Sequence, residues 1–252
     1  MDADSLAQLG PERRTGETTD DNRSDSDRHR RGRDILVVVL TLTSGAVDAA
    51  TFLRLGHVFS SVVTGNLVLL GIAAGQRSAS LALSGGLALA GYAAGVLLGG
   101  VLAGESQRAQ PVWPRAVTVA LGAEFTLLAG FTAGWLLTGG RPGADARLIL
   151  LAVATVAMGV QTAAVRRLGQ MSSTYLTSTL AGLVTALAVR RRPEDWQRSS
   201  GTLLGIVTGA LLGALTATQF PDWLPVVILA PLAVAITASL RIARPDQALD
   251  TR

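Results

Sequence analysis

Two carboxylic acids stand deep inside otherwise apolar stretches of this chain, Asp48 and Glu124. A carboxylate at the centre of a membrane-spanning helix costs roughly 2.5–3.5 kcal/mol on insertion scales, so it usually faces a partner or an internal cavity. Each is therefore a candidate for binding a proton or a cation. The alternative is a carboxyl buried between helices, either neutral or paired with one of the arginines Arg54, Arg166 and Arg167.

Uncharged polar groups lie near the same positions in the chain. Thr64 and Asn66 flank Gly65, and in the second half of the sequence Thr177 corresponds to Thr64 and Gln161 to Asp48. Hydroxyl and amide groups beside a glycine can line an unwound turn and coordinate an ion or a polar solute. Interhelical hydrogen bonding is the alternative. We therefore predict a binding site for a small solute or ion from the acidic and polar residues Asp48, Thr64, Asn66, Glu124, Gln161 and Thr177.

Charge partners for this site are Arg54 and Arg167, which both lie at the ends of apolar stretches. An arginine at such a position can bind an anion, although reaching to the membrane surface is the usual explanation. Enzyme signatures are missing. The chain has no cysteine, its two histidines (His29 and His57) cannot form a zinc-protease motif, and neither a phosphate-binding loop nor a nucleophile elbow is present. We predict no enzymatic activity, no metal and no cofactor.

Apolar stretches separated by short polar breaks make up most of the chain. Only 16% of residues are charged, compared with about 25% in soluble domains, and the mean hydropathy is +0.41. Eight stretches are recognisable: 35–55, 58–76, 81–104, 115–138, 146–168, 171–190, 199–218 and 223–242. Most reach the roughly 20 residues that span the hydrocarbon core, where backbone groups must be satisfied within the helix. The sequence predicts an all-α polytopic membrane bundle of six to eight transmembrane helices, with 58–76 and 171–190 as candidate half-spanning segments.

Polar segments flank this membrane part. Residues 1–33 contain no apolar run and are predicted to be a disordered tail, and residues 246–252 form a short polar tail. The chain has no lysine, and most arginines fall on one side when the stretches are threaded through a bilayer. This bias predicts a multi-pass protein of the cell (cytoplasmic) membrane with both termini in the cytoplasm. The arginines flank apolar runs, so no nucleic-acid binding is expected.

The two halves of the membrane part are similar in sequence when one is aligned with the other at an offset of 113 residues. The shift places Asp48 on Gln161, Arg54 on Arg167 and Thr64 on Thr177. We predict two repeated halves, 34–140 and 141–245, and similar arginines in equivalent loops favour parallel repeats. Each half also has a period-four glycine stripe, typical of close helix packing: Gly91, Gly95 and Gly99, and Gly201, Gly205, Gly209 and Gly213.

The segments SGAVDAATFLRLGHVFSSVVTGNLVLLG, AMGVQTAAVRRLG and STYLTSTL together resemble the YoaK-like family of bacterial membrane proteins, domain of unknown function 1275 (DUF1275). The resemblance extends over about residues 34–243. Its pattern includes Asp48 and the Thr64-Gly65-Asn66 triplet, while Ser178 stands where a glycine is expected after Thr177. The resemblance implies a membrane helix bundle and leaves the activity open.

Two functions follow as hypotheses. The first is a secondary transporter of a small solute or ion, with its site between the two halves and proton coupling through Asp48. The second is a non-transporting membrane scaffold or partner subunit. The lipid bilayer is the one partner that the sequence predicts for both, and the substrate and the oligomeric state stay open.

Overall fold

The structure is a computed structural model that describes residues 12–104, 113–168, 175–189 and 196–242. All regular elements in these ranges are helical, which confirms the predicted all-α membrane bundle. The helices are α1 (Glu12–Thr51), α2 (Val63–Gly75), α3 (Ala79–Ala103), α4 (Arg115–Leu137), α5 (Ala144–Arg167), α6 (Tyr175–Ala188), α7 (Trp196–Thr218) and α8 (Leu224–Ile242).

Six of these helices are long and apolar enough to cross a membrane: α1 from Arg31 on, together with α3, α4, α5, α7 and α8. The other two, α2 and α6, have 13 and 14 residues. At 1.5 Å per residue they are about 20 Å long, whereas the hydrocarbon core is about 30 Å thick. The described ranges therefore contain six candidate spans and two short apolar helices, the latter within the stretches 58–76 and 171–190.

The amino-terminal segment differs from the predicted disordered tail. Helix α1 begins at Glu12 and continues without interruption to Thr51, while residues 1–11 and 246–252 lie outside the described residues. Extending an existing helix is far easier than nucleating one, and no proline lies between Glu12 and Thr51. The helix formed by the apolar part of α1 can therefore extend into the polar segment that precedes it.

Helices α3 and α5 are packed closely along the first glycine stripe. A Cβ atom added to Gly99 would lie 2.9 Å from the backbone of Val160, and one on Gly95 would lie 2.9 Å from the Cα of Gly159. Contact positions advance together along both helices, so α3 and α5 run parallel. The stripe brings the two backbones into contact, as small residues do in membrane bundles.

Helices α1 and α7 form an equivalent parallel pair along the second stripe. A Cβ atom on Gly205 would lie 3.1 Å from the carbonyl oxygen of Val38, and one on Gly213 would lie 2.5 Å from the backbone of Ala46. Gly201 and Gly209 also face α1 along this contact. These two pairs, α3 with α5 and α1 with α7, form the most extensive helix contacts of the bundle.

The remaining long helices run antiparallel to their neighbours. The indole Nε1 of Trp135 in α4 donates to the carbonyl of Pro221, just before α8 (2.9 Å). Near the other ends of α4 and α8, the hydroxyl oxygens of Thr118 and Ser239 lie 3.1 Å apart. Helix α4 is also antiparallel to α5, and α8 returns from α7 through a short turn. Helices α1 and α5, which begin the two predicted halves, therefore point in opposite directions. A repeat of these halves would be inverted, contrary to the parallel arrangement favoured by the sequence.

Candidate functional site

The chain turns back on itself directly after α1. The helix ends in a π-helical turn, Phe52–Gly56, and His57 adopts a left-handed conformation with φ 58°. Gly56 has φ 140° and faces Ser84 of α3, so a side chain there would be strained and crowded. The following non-helical segment, residues 57–62, folds back along α1 before α2 begins at Val63. We call residues 57–62 the return loop.

The return loop wraps the carboxylate of Asp48. Oδ1 accepts hydrogen bonds from the backbone N–H of Ser60 (2.7 Å), the Ser60 hydroxyl (2.7 Å) and the Ser61 backbone N–H (2.8 Å). Oδ2 accepts a fourth from the Ser61 hydroxyl (2.6 Å). The side chain of Asp48 is only 6% exposed. Within the described residues no arginine pairs with it, so neutral hydroxyl and amide donors surround this carboxylate.

Asn66 holds the return loop in place from the first turn of α2. Its Oδ1 accepts from the backbone N–H of Phe59 (2.9 Å), and its Nδ2 donates to the carbonyl of the same residue (2.6 Å). The Asn66 side chain is 2% exposed. Its amide thus positions the two serines that bind Asp48.

We expect Asn66→Ala to lower the free energy of unfolding by about 1–3 kcal/mol, because the partly buried backbone N–H and C=O groups of Phe59 both lose their partner. Thermal unfolding of the purified protein in detergent measures this loss. Thr64→Ala is the matched control, since Thr64 lies in the same turn of α2 and is exposed. Equal melting temperatures for the two variants would contradict the positioning role of Asn66.

A second polar cluster joins α1, α4 and α5. The Ser44 hydroxyl donates to Oε1 of Gln161 (2.5 Å), and Nε2 of Gln161 donates to Oε1 of Glu124 (2.8 Å) and to the Leu40 carbonyl (3.5 Å). Glu124 is fully buried, and its Oε2 has no hydrogen-bond partner within the part of the chain that the structure describes. The free lone pairs of this oxygen are a place where a proton could bind inside the bundle.

The two clusters share one face of α1. Ser44 precedes Asp48 by four residues, so both side chains project from the same side of the helix. Ser44 was not among the predicted site residues, although its spacing from Asp48 could have indicated it. Ser60 and Ser61 were not among them either, because nothing local predicts that the chain folds back onto Asp48.

Comparison with known proteins identifies the family. The model of the family described as "Protein of unknown function (DUF1275)" matches residues 36–239. The chain belongs to the DUF1275 family. It is also 33% identical over 224 residues to the UPF0700 transmembrane protein YoaK of Bacillus subtilis (strain 168), an alignment that covers 84% of this chain and 96% of that relative. No solved structure matches.

The other predicted site residues of this DUF1275 protein lie away from the two clusters. Thr64 is exposed on α2, and the side chain of Thr177 lies outside the described residues. Arg54 donates from Nε to the carbonyl of Ala217 (3.0 Å), and Arg167 donates from Nε to the carbonyl of Ala103 (3.0 Å). Each arginine therefore caps the end of a long helix, α7 or α3, and neither neutralises Asp48 or Glu124.

Proposed function

We propose that this DUF1275 protein is a proton-coupled secondary transporter of a small solute or ion, without enzymatic activity. The observation that carries the proposal is the environment of Asp48. Four neutral donors from the return loop surround a buried carboxylate, and no cation lies beside it among the described residues. The test is uptake driven by a pH gradient in liposomes, with Asp48→Asn as the decisive variant.

Protonation of Asp48 would change what the return loop can bind. An ionised carboxylate only accepts hydrogen bonds, whereas a protonated one carries a donor in place of part of its accepting capacity. The four donors of Ser60 and Ser61 are all directed at this group. Binding of a proton would therefore release at least one of them. This is a direct route from proton binding to movement of a non-helical segment inside the bundle.

We further propose that the two halves form an inverted repeat, an arrangement that permits alternating access. Both halves follow the order of one long helix, one short helix and two long helices. The 113-residue shift places α1 on α5 and α3 on α7, so the contact of α1 with α7 corresponds to the contact of α5 with α3. The hydrogen bond from Arg54 to the end of α7 likewise corresponds to the one from Arg167 to the end of α3. Inverted repeats place a substrate site near the midplane in several transporter folds. Asp48 and Gln161 occupy equivalent positions in the two halves and belong to the two buried clusters.

The arginine distribution supports this topology. With six spans and the start of α1 in the cytoplasm, 18 of the 22 arginines lie in the amino- and carboxyl-terminal segments, at cytoplasmic helix ends or in cytoplasmic connections of the sequence. The opposite side holds only four: Arg54, Arg77, Arg141 and Arg147. A larger share of the arginines lies on the cytoplasmic side than when all eight apolar stretches are taken as spans. The distribution favours cytoplasmic termini in a bacterial cell membrane.

Single cysteines test the topology, since the chain has none of its own. Gln76 follows α2 and Arg141 lies in the connection between α4 and α5, and both are exposed. We expect cysteines at these two positions to react with a membrane-impermeant maleimide on intact spheroplasts. We expect Gln197→Cys to react only after permeabilisation. Eight spans would instead place positions 76 and 141 in the cytoplasm, so protection of both on intact spheroplasts would refute the inverted arrangement.

A further inference from the structure

An open cavity of about 230 Å³ lies between the carboxyl-terminal ends of α3 and α5. Two arginines line it, together with small and apolar residues of both helices: Val96, Gly100, Gly104, Ala163, Arg166 and Arg167. A Cβ atom on Gly100 would meet no other atom within 4 Å, so the space beside this glycine is unfilled. Helix directions place the cavity at the end of the bundle where the apolar part of α1 begins.

The two arginines of this cavity have different roles. The Nε of Arg167 caps the carbonyl of Ala103, as Arg54 caps Ala217 at the other end of the bundle. Arg166 is an addition, because the position equivalent to it beside Arg54 is Leu53. Arg166 is exposed, and no described residue accepts a hydrogen bond from it. The capping of α3 therefore accounts for Arg167, whereas no hydrogen bond within the described ranges accounts for Arg166.

We propose that this cavity binds the phosphate of an anionic phospholipid, with Arg166 as the principal contact. The guanidinium group carries a fork of N–H donors that matches a phosphate, and it lies at the end of two membrane-spanning helices, where headgroups are found. Val96, Gly100 and Ala163 continue the cavity along the helices as an apolar surface for the glycerol and upper acyl chain. Basic pockets between membrane helices on the cytoplasmic side bind phospholipid headgroups in this way.

The test is titration of phosphatidylglycerol into the purified full-length protein in neutral detergent, followed by the melting temperature and by native mass spectrometry. Wild type is expected to be stabilised as the lipid concentration rises, as any ligand of the native state requires. For Arg166→Gln the apparent affinity should fall at least about tenfold, through loss of a charge-assisted contact. Gly100→Leu should lower the affinity as well, by filling the cavity while keeping both arginines.

Arg141→Gln is the matched control, because it also removes one exposed arginine, from the connection between α4 and α5 at the opposite side of the bundle. It should bind phosphatidylglycerol as wild type does. Equal affinities for Arg166→Gln and wild type would overturn the proposal. Inorganic phosphate and phosphatidylcholine are titrated in parallel. Stabilisation by inorganic phosphate at the same concentrations would overturn the lipid assignment in favour of a free anion, and equal stabilisation by phosphatidylcholine would remove the phosphate-specific role of Arg166.

Discussion

Asp48→Asn is expected to reduce pH-gradient-driven uptake by proteoliposomes to the level of empty vesicles. The substitution keeps the size of the side chain and removes its ability to bind and release a proton. It also places an amide Nδ2 where the return loop presents donors, so the Ser61 hydroxyl loses its acceptor at Oδ2. Uptake is measured across a broad panel of small solutes and ions, with and without the gradient.

Asp145→Asn is the control for this experiment, because Asp145 is an exposed carboxylate at the start of α5. It should transport as wild type does. Melting temperatures of all variants establish that they are folded. Equal uptake by wild type and Asp48→Asn would contradict coupling at Asp48. No gradient-driven uptake by folded wild type would contradict transport as a whole and favour the scaffold hypothesis.

Gly95→Ala is expected to cause a large loss of stability for the addition of a single methyl group. The new Cβ atom would lie 2.8 Å from the carbonyl carbon of Val156 and 2.9 Å from the Cα of Gly159. These are backbone atoms of α5 and cannot move aside as a flexible side chain would. Overpacking typically costs about 1–3 kcal/mol, and we expect the upper end of that range or more for two helix backbones.

The control for Gly95→Ala lies in the same helix. A Cβ atom added to Gly86 of α3 would have no neighbouring atom within 4 Å, so Gly86→Ala should be neutral or stabilising by about 0.5–1 kcal/mol through its helix propensity. Both variants are compared by thermal unfolding in the same detergent. Similar melting temperatures would show that α3 and α5 are not in backbone contact at Gly95.

Much of the architecture could be predicted from local sequence properties. The length and hydropathy of each apolar stretch predicted a helical membrane bundle, and the short stretches were candidates for half-spanning segments. The glycine stripes lie at the two closest helix contacts. Asp48 was conspicuous because a carboxylate in an apolar stretch has a high insertion cost. The family could also be recognised from its motifs, and the family match confirms it.

The details of the site could not be predicted in this way. Thr64 and Asn66 belong to one triplet, yet Asn66 positions the return loop while Thr64 is exposed. The sequence offered arginines as possible partners of Glu124, whereas in the folded chain this carboxyl accepts a hydrogen bond from Gln161, 37 residues away.

The sequence by itself determined which stretches are apolar enough to enter a membrane, because the free energy of inserting a helix is a sum over its own residues. Only the tertiary structure decided which polar groups meet inside the bundle and in which direction the halves run. Those outcomes depend on how helix faces pack and on how the return loop satisfies its backbone N–H groups against Asp48, 12 and 13 residues earlier in the chain.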